Sequence, residues 1–195
     1  IHNGAHNVTV PPVKPTGYHP SRPFLFTMGY VNRKKNFLTL IQLLPGTSFE
    51  LIVAGKEDDP NYVSRMKEEA VKLGVSDQLK ILGPVPEEDK AWYFNHCEAF
   101  LFPSLAEGFG APAVEAMAFG KPLFLSDKTS LPEIGGEAAF YFNSFEADQM
   151  RKVFNEGMKI YREQPGLKEK IKNRAKDFNW ETNAKKYLEV YHSML

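Results

Sequence analysis

The chain has 195 residues, 43% of them hydrophobic and 25% charged, enough for one domain with a large core and too little for two of ordinary size. Lysine plus arginine equals aspartate plus glutamate at 24 each, so no overall field draws the protein to nucleic acid or to an anionic membrane, and any anion site must be local. The single cysteine, Cys97, excludes a disulfide framework and fits a reducing, cytoplasmic setting, while no apolar run reaches the roughly 18 residues of a membrane span.

The sequence opens abruptly at "IHNG", without methionine or a signal peptide, and reads as a fragment or a processed chain. Residues 1–23 hold five of the 14 prolines and show no periodicity, the mark of a lead-in segment or linker. From there short apolar runs alternate with amphipathic stretches. The runs fall at 24–29, 49–55, 79–83, 99–103, 122–126 and 138–142, and most lack apolar/polar alternation, as expected of strands buried on both faces of a parallel sheet. Between them helices are predicted at 36–44, ending before Pro45-Gly46, and at 60–74, with Pro60 at its start and Gly74 at its end. Two more are predicted at 86–97, with an acidic first turn, and at 111–120. This is βαβ grammar, so residues 24–180 are expected to form an α/β, Rossmann-like domain, a parallel sheet of about six strands flanked by helices.

After Ser144 only helical periodicity remains, broken at Gln164-Pro165-Gly166. In the terminal helix, residues 181–195, Ala184, Tyr187, Leu188 and Tyr191 fall on one stripe. That stripe either docks on the sheet or belongs to the interface with a neighbouring domain.

Ligands of open α/β sheets bind at the carboxyl ends of the strands. The first strand is followed by Gly29 and then by Arg33, Lys34 and Lys35, a cationic cluster suited to phosphate. The fourth is followed by "SLAEGFGAPAVEAMAFGKP", residues 104–122, where Glu107 and Glu115 bracket a turn freed by Gly108 and Gly110. Ionised carboxylates accept hydrogen bonds from the paired hydroxyls of a sugar, and the turn's backbone amides can face an anion at the head of the next helix. Taken singly, these features have plainer explanations: a solvated basic loop, a carboxylate complementing a helix dipole, an exposed loop acid. Together they describe a site for a ligand carrying both phosphate and hydroxyl groups.

Four competing motifs fit less well. Gly108-x-Gly110-x-x-Ala113 with Asp127 resembles a dinucleotide fingerprint, but five residues, 103–107, separate the strand from its first glycine. A glycosidase pair would not place one of its acids on a helix beside a basic loop. The histidines His2, His6, His19, His96 and His192 form no ligand pattern, no Asp-x-Asp is present, and Gly55-Lys56 is followed by Glu57 rather than Ser or Thr.

The stretch "FPSLAEGFGAPAVEAMAFGKP" resembles the signature of retaining GT-B glycosyltransferases of the group-1, or family-4, type. "IHNG", "MGYVNRKKNFLTLI", "FELIVAG", "LKILGPV", "LPEIGGEAAFYF" and "FNWETNAKKYLEVYHSML" follow in that family's order. The resemblance implies the second half of a GT-B fold with a nucleotide-diphosphate sugar as donor substrate and no metal or other cofactor. Glu115 would hold the ribose hydroxyls, Glu107 the hydroxyls of the transferred sugar, and Lys35 the leaving diphosphate. Backbone at Gly108, Phe109, Gly110 and Ala111 would meet the sugar and distal phosphate, Gly29 belongs to the family's glycine loop, and Val85 stands where the family's backbone holds the base. Arg33 and Lys34 compete for the place of the family's arginine. The implied partners are an N-terminal half of the same chain and an unidentified acceptor, in the cytoplasm or at the inner face of a membrane. A nucleotide-binding module without transferase activity and a sugar-nucleotide epimerase half are the alternatives.

Overall fold

The computed structural model of the chain describes residues 3–4 and 11–194; His2 and His6 lie outside them. Six strands form one parallel sheet: β1 (Phe24–Met28), β2 (Glu50–Ala54), β3 (Leu79–Gly83), β4 (Ala99–Phe102), β5 (Leu123–Ser126) and β6 (Phe140–Phe142). Their order is β3-β2-β1-β4-β5-β6. The chain builds outward from β1 to one edge, returns to lay β4 on the other side of β1, and builds outward again. The four inner strands are almost wholly buried, while β3 and β6, which have a strand on one side only, are half-exposed. That is why the inner strands carry unbroken runs such as "FLF" and "AFLF". Phe26 of β1 sits in register with Phe100 of β4, their rings 6.0 Å apart at the middle of the core.

The helices are α1 (Pro60–Lys72), α2 (Glu87–His96), α3 (Ala111–Ala118), α4 (Leu131–Gly135), α5 (Ala147–Glu163), α6 (Leu167–Lys176) and α7 (Trp180–Ser193). Asp59 caps α1 by accepting from Tyr62 N, and Tyr62, Val63, Met66 and Ala70 form its buried face. The helix expected at 36–44 is instead a 3-10 helix, Phe37–Leu43, preceded by a short 3-10 turn at Arg33–Lys35. Asn36 joins the two in the left-handed region, φ 57, and Phe37, Leu40 and Leu43 are all buried. Ile41 is buried with them, and the Thr39 hydroxyl occupies the Asn36 carbonyl at 2.8 Å. The short α4 was not predicted; it follows Thr129, which has φ 50.

The lead-in segment is tied to the domain. The Tyr18 hydroxyl donates to buried Glu50 at 2.9 Å, the Tyr93 hydroxyl donates to the Tyr18 carbonyl, and His19 lies against Trp92. Of the two readings of the terminal helix, the structure does not show the docked one. Its stripe does not dock on the sheet: Tyr187, Leu188 and Tyr191, with Trp180 and Val190, remain exposed, and within α7 Asn183 is the buried residue.

Cys97 is buried beyond the end of α2, its thiol within 3.5 Å of the Phe94 carbonyl. Burial pushes this thiol from 9.0 up to about 12. The folded protein therefore keeps a proton that the unfolded chain loses, and the stability this contributes is full below pH 9 and declines as pH rises toward 12. Cys97 should accordingly resist a thiol-specific disulfide reagent in the native protein at about pH 8 and react fully in denaturant. Fast native labelling would show that the thiol is accessible.

Candidate functional site

The strand order reverses between β1 and β4, so the loops after their carboxyl ends diverge and leave a crevice between them. After β1 the Asn32 side chain accepts from Lys34 N at 3.1 Å and caps the 3-10 turn. That turn divides the three basic residues. Lys35 is drawn inward, its side chain 16% exposed, whereas Lys34 is exposed and Arg33, 70% exposed, lies 3.8 Å from Asp59.

The loop after β4 is joined to this turn by its backbone, Leu105 N donating to the Lys34 carbonyl at 2.7 Å. Glu107 is thereby brought to Lys35, with Nζ and Oε1 2.5 Å apart and the carboxylate 11% exposed. Ser104 Oγ stands 2.5 Å from the same Oε1 and 3.1 Å from the Lys34 carbonyl, so its single proton serves one acceptor at a time. The Lys35 ammonium also lies 4.9 Å from the centre of the Phe102 ring. From the other side Thr129 Oγ1 accepts from Glu107 N at 2.9 Å, and the Ser130 hydroxyl lies 3.0 Å from the Glu107 carbonyl and 3.2 Å from that of Phe109. Phe109 is braced edge-on against Phe178.

Two glycines are required by the geometry. Gly110, which heads α3, has φ 93, and a Cβ there would lie 2.7 Å from the Leu131 side chain. At Gly55, φ 135, a Cβ would strike the carbonyl of Gly29, whose own chain pairs with the end of β2. The close approach of these backbones leaves a cleft of about 480 Å³, walled by Met28, Gly29, Tyr30, Lys35, Gly55, Lys56, Pro84 and Pro112. Val85 follows directly and is half-buried against the core.

Glu115 lies on α3 with 12% of its side chain exposed, paired at 3.3 Å with Lys90 of α2. Lys90 is itself 9% exposed and also meets Glu87 at 2.6 Å. Of the expected residues, then, the structure joins Lys35 to Glu107 and sets Gly29 and Lys35 in one cleft wall. It puts Glu115 in a second ion pair and leaves Arg33 and Lys34 outside that wall.

Lys90, Ser104, Thr129 and Ser130 were not found by sequence reasoning. Lys90 stands in the motif-free "PEEDKAWYF", and the hydroxyls of Thr129 and Ser130 lie over 20 positions from the carboxylate loop they support. Among the described residues no group of three or more His, Cys, Asp or Glu side chains is placed to hold a metal ion, and no helix is long and apolar enough to cross a membrane.

A six-stranded parallel sheet in this order, with helices on its faces and further helices at its C-terminal end, is one domain of the GT-B fold. The chain belongs to the glycosyl transferases group 1 family, which it matches over residues 14–178. It is 31% identical over 182 residues to a serotype-specific mannosyltransferase, WbdA, of Escherichia coli, an alignment covering 88% of this chain and 22% of that protein. Among solved structures, sucrose-phosphate synthase from Thermosynechococcus elongatus superposes with a TM-score of 0.76 at 22% identity, covering 89% of this chain and 46% of that one. Anabaena HepE, solved in complex with UDP and glucose, superposes with a TM-score of 0.77 at 19% identity, covering 88% of this chain and 48% of that one. The chain thus spans less than half the length of each.

Breaking the inner ion pair should be costly, because the remaining charge stays largely buried. Lys35→Met and Glu107→Gln are each expected to lower the unfolding free energy by about 1–3 kcal/mol. The double variant should lose less than the sum of the two. Denaturant titration of all four proteins checks this, and strictly additive losses would mean the pair is not coupled.

Proposed function

We propose that this chain is the donor-binding half of a retaining, metal-independent glycosyltransferase that takes its sugar from a nucleotide-diphosphate sugar. The observation that carries this is the contact of Lys35 with Glu107 at the switch-point cleft. A cation for phosphate and an acceptor for sugar hydroxyls stand side by side, as the join between a diphosphate and its sugar requires. In transfer, the bond between the anomeric carbon and the distal phosphate oxygen breaks, the acceptor oxygen bonds to that carbon, and the acceptor's hydroxyl proton passes to the departing phosphate oxygen. The departing diphosphate takes the electron pair, and Lys35, with Lys56 on the same wall, offsets the charge that develops.

Glu107 orients the transferred sugar. Gly108, around which the structure is open, together with Phe109, Gly110 and Ala111, offers backbone to the sugar and distal phosphate. Glu115 takes the ribose hydroxyls, and the backbone at Val85 takes the base. Lys34 and Arg33, both exposed, are close enough in sequence for one of them to turn onto the diphosphate when donor binds. The mannosyltransferase relative and the UDP complex of HepE support a nucleotide-sugar donor.

The acceptor site and the opposite cleft wall belong to an N-terminal half of the same protein. That half also covers the exposed face of α7, which presents Trp180, Leu188 and Tyr191 together. Leu188→Glu should then lower the melting temperature of the full-length protein while leaving that of this half unchanged. Equal melting of the variant and parent full-length proteins would remove α7 from the interface. Sugar transfer by the 195-residue chain alone would show that no second half is needed.

The direct test is calorimetric titration of the full-length protein with UDP, GDP and ADP, with no divalent metal present. One of them should bind selectively, and Glu115→Gln should weaken it by about 1–3 kcal/mol, a factor of about 5 to 150. Unchanged affinity in that variant would move the ribose contact to another residue; binding that requires a divalent ion would end the metal-independent assignment.

A further inference from the structure

Lys90 is the fourth residue of α2, five positions beyond Val85, and its side chain is 9% exposed. The place is a poor one for a lysine on two counts. Burial of an ammonium costs free energy unless it is paired, and a cation near a helix N-terminus opposes the helix dipole. Two carboxylates offset these costs, and they are unequal. Glu87, on the same helix, is 64% exposed, so water screens its contribution. Glu115, from α3, is 12% exposed, and its pairing with Lys90 links the helix after β3 to the helix after β4.

A glutamate side chain has three rotatable bonds, and an acceptor for a pair of vicinal hydroxyls has to be held in one orientation. We infer that Lys90 is the positioning residue for the donor's ribose: by holding Oε1 of Glu115, it fixes the orientation in which that carboxylate accepts from the ribose hydroxyls. The inference rests on the assignment of Glu115 to the ribose proposed above. Accepting from Lys90 does not exhaust a carboxylate, which offers about four acceptor positions. It also separates the duties of the site's buried lysines. Lys35 faces the cleft and the phosphates, while Lys90 acts on the ligand only through Glu115.

The experiment measures how strongly the full-length protein prefers UDP, GDP or ADP over the matching 2′,3′-dideoxynucleoside diphosphate. The parent protein should prefer the ribonucleotide by about tenfold or more, the size of a charge-assisted hydrogen bond. In Lys90→Met the preference should fall by about threefold or more, with affinity for the dideoxy compound unchanged, and Lys90→Arg should restore part of it. Glu87→Gln should leave it intact. Equal loss of affinity for both compounds in Lys90→Met would overturn the inference, because a lysine acting on the phosphates or on the fold alone would do that. If the parent protein binds nucleotide but shows no preference, the assignment of Glu115 fails instead. A structure of the nucleotide complex decides the same point without a variant. Lys90 bonded to Glu115 while Glu115 accepts from the ribose is expected, and Lys90 turned away from it would refute the role.

Discussion

The parallel pairing of β1 with β4 at the centre of the sheet governs everything built above it. Phe26 and Phe100 lie in register there, and the strands on either side belong to opposite windings of the chain. Neighbouring strands are about 4.8 Å apart, so only this adjacency can carry the loop after β1 and the loop after β4 into contact. The bond from Leu105 N to the Lys34 carbonyl records that contact, and the pairing of Lys35 with Glu107 follows from it. Had β4 been laid at an edge, the same residues would form two unrelated solvated loops.

The chain carries no net charge, yet its site is strongly charged in a local way. Each glutamate of the motif has its own lysine from another element: Glu107 has Lys35 from the turn after β1, and Glu115 has Lys90 from α2. Charges this deeply placed need partners, since the loss of either would leave an uncompensated ion in a poorly solvated place. The resting site is therefore neutralised from within. In the proposed reaction a diphosphate takes over Lys35, while sugar hydroxyls give Glu107 the hydrogen bonds it would otherwise lose, so occupied and empty sites are both balanced electrostatically.

The strands were legible because burial on both faces demands unbroken apolar runs, and all six were found to within two residues at either end. The helices starting at Pro60 and Ala111 were legible from their proline and glycine punctuation. The stretch 37–43 was misread because buried positions at 37, 40, 41 and 43 fit a face with three residues per turn or with 3.6 over so short a segment. The terminal helix was legible as a helix but not in its docking, since an apolar stripe says that a face seeks cover and not what covers it. His96, without a ligand pattern in the sequence, is exposed and stacked on Trp92 with ring centroids 4.1 Å apart.

From the sequence alone came the α/β class and the succession of strands and helices along the chain, which follow from local periodicity, and Lys35, Glu107 and Glu115 as candidates, which the family resemblance of the motif singled out. Tertiary structure decided which of the three basic residues turns inward, since that depends on the Asn32 cap and on the backbone of Leu105. It also supplied Lys90, which on its own helix is an ordinary lysine in an acidic turn. What makes it part of the site is a carboxylate 25 positions away, and distances of that kind exist only once the sheet has brought β3 and β4 to their places.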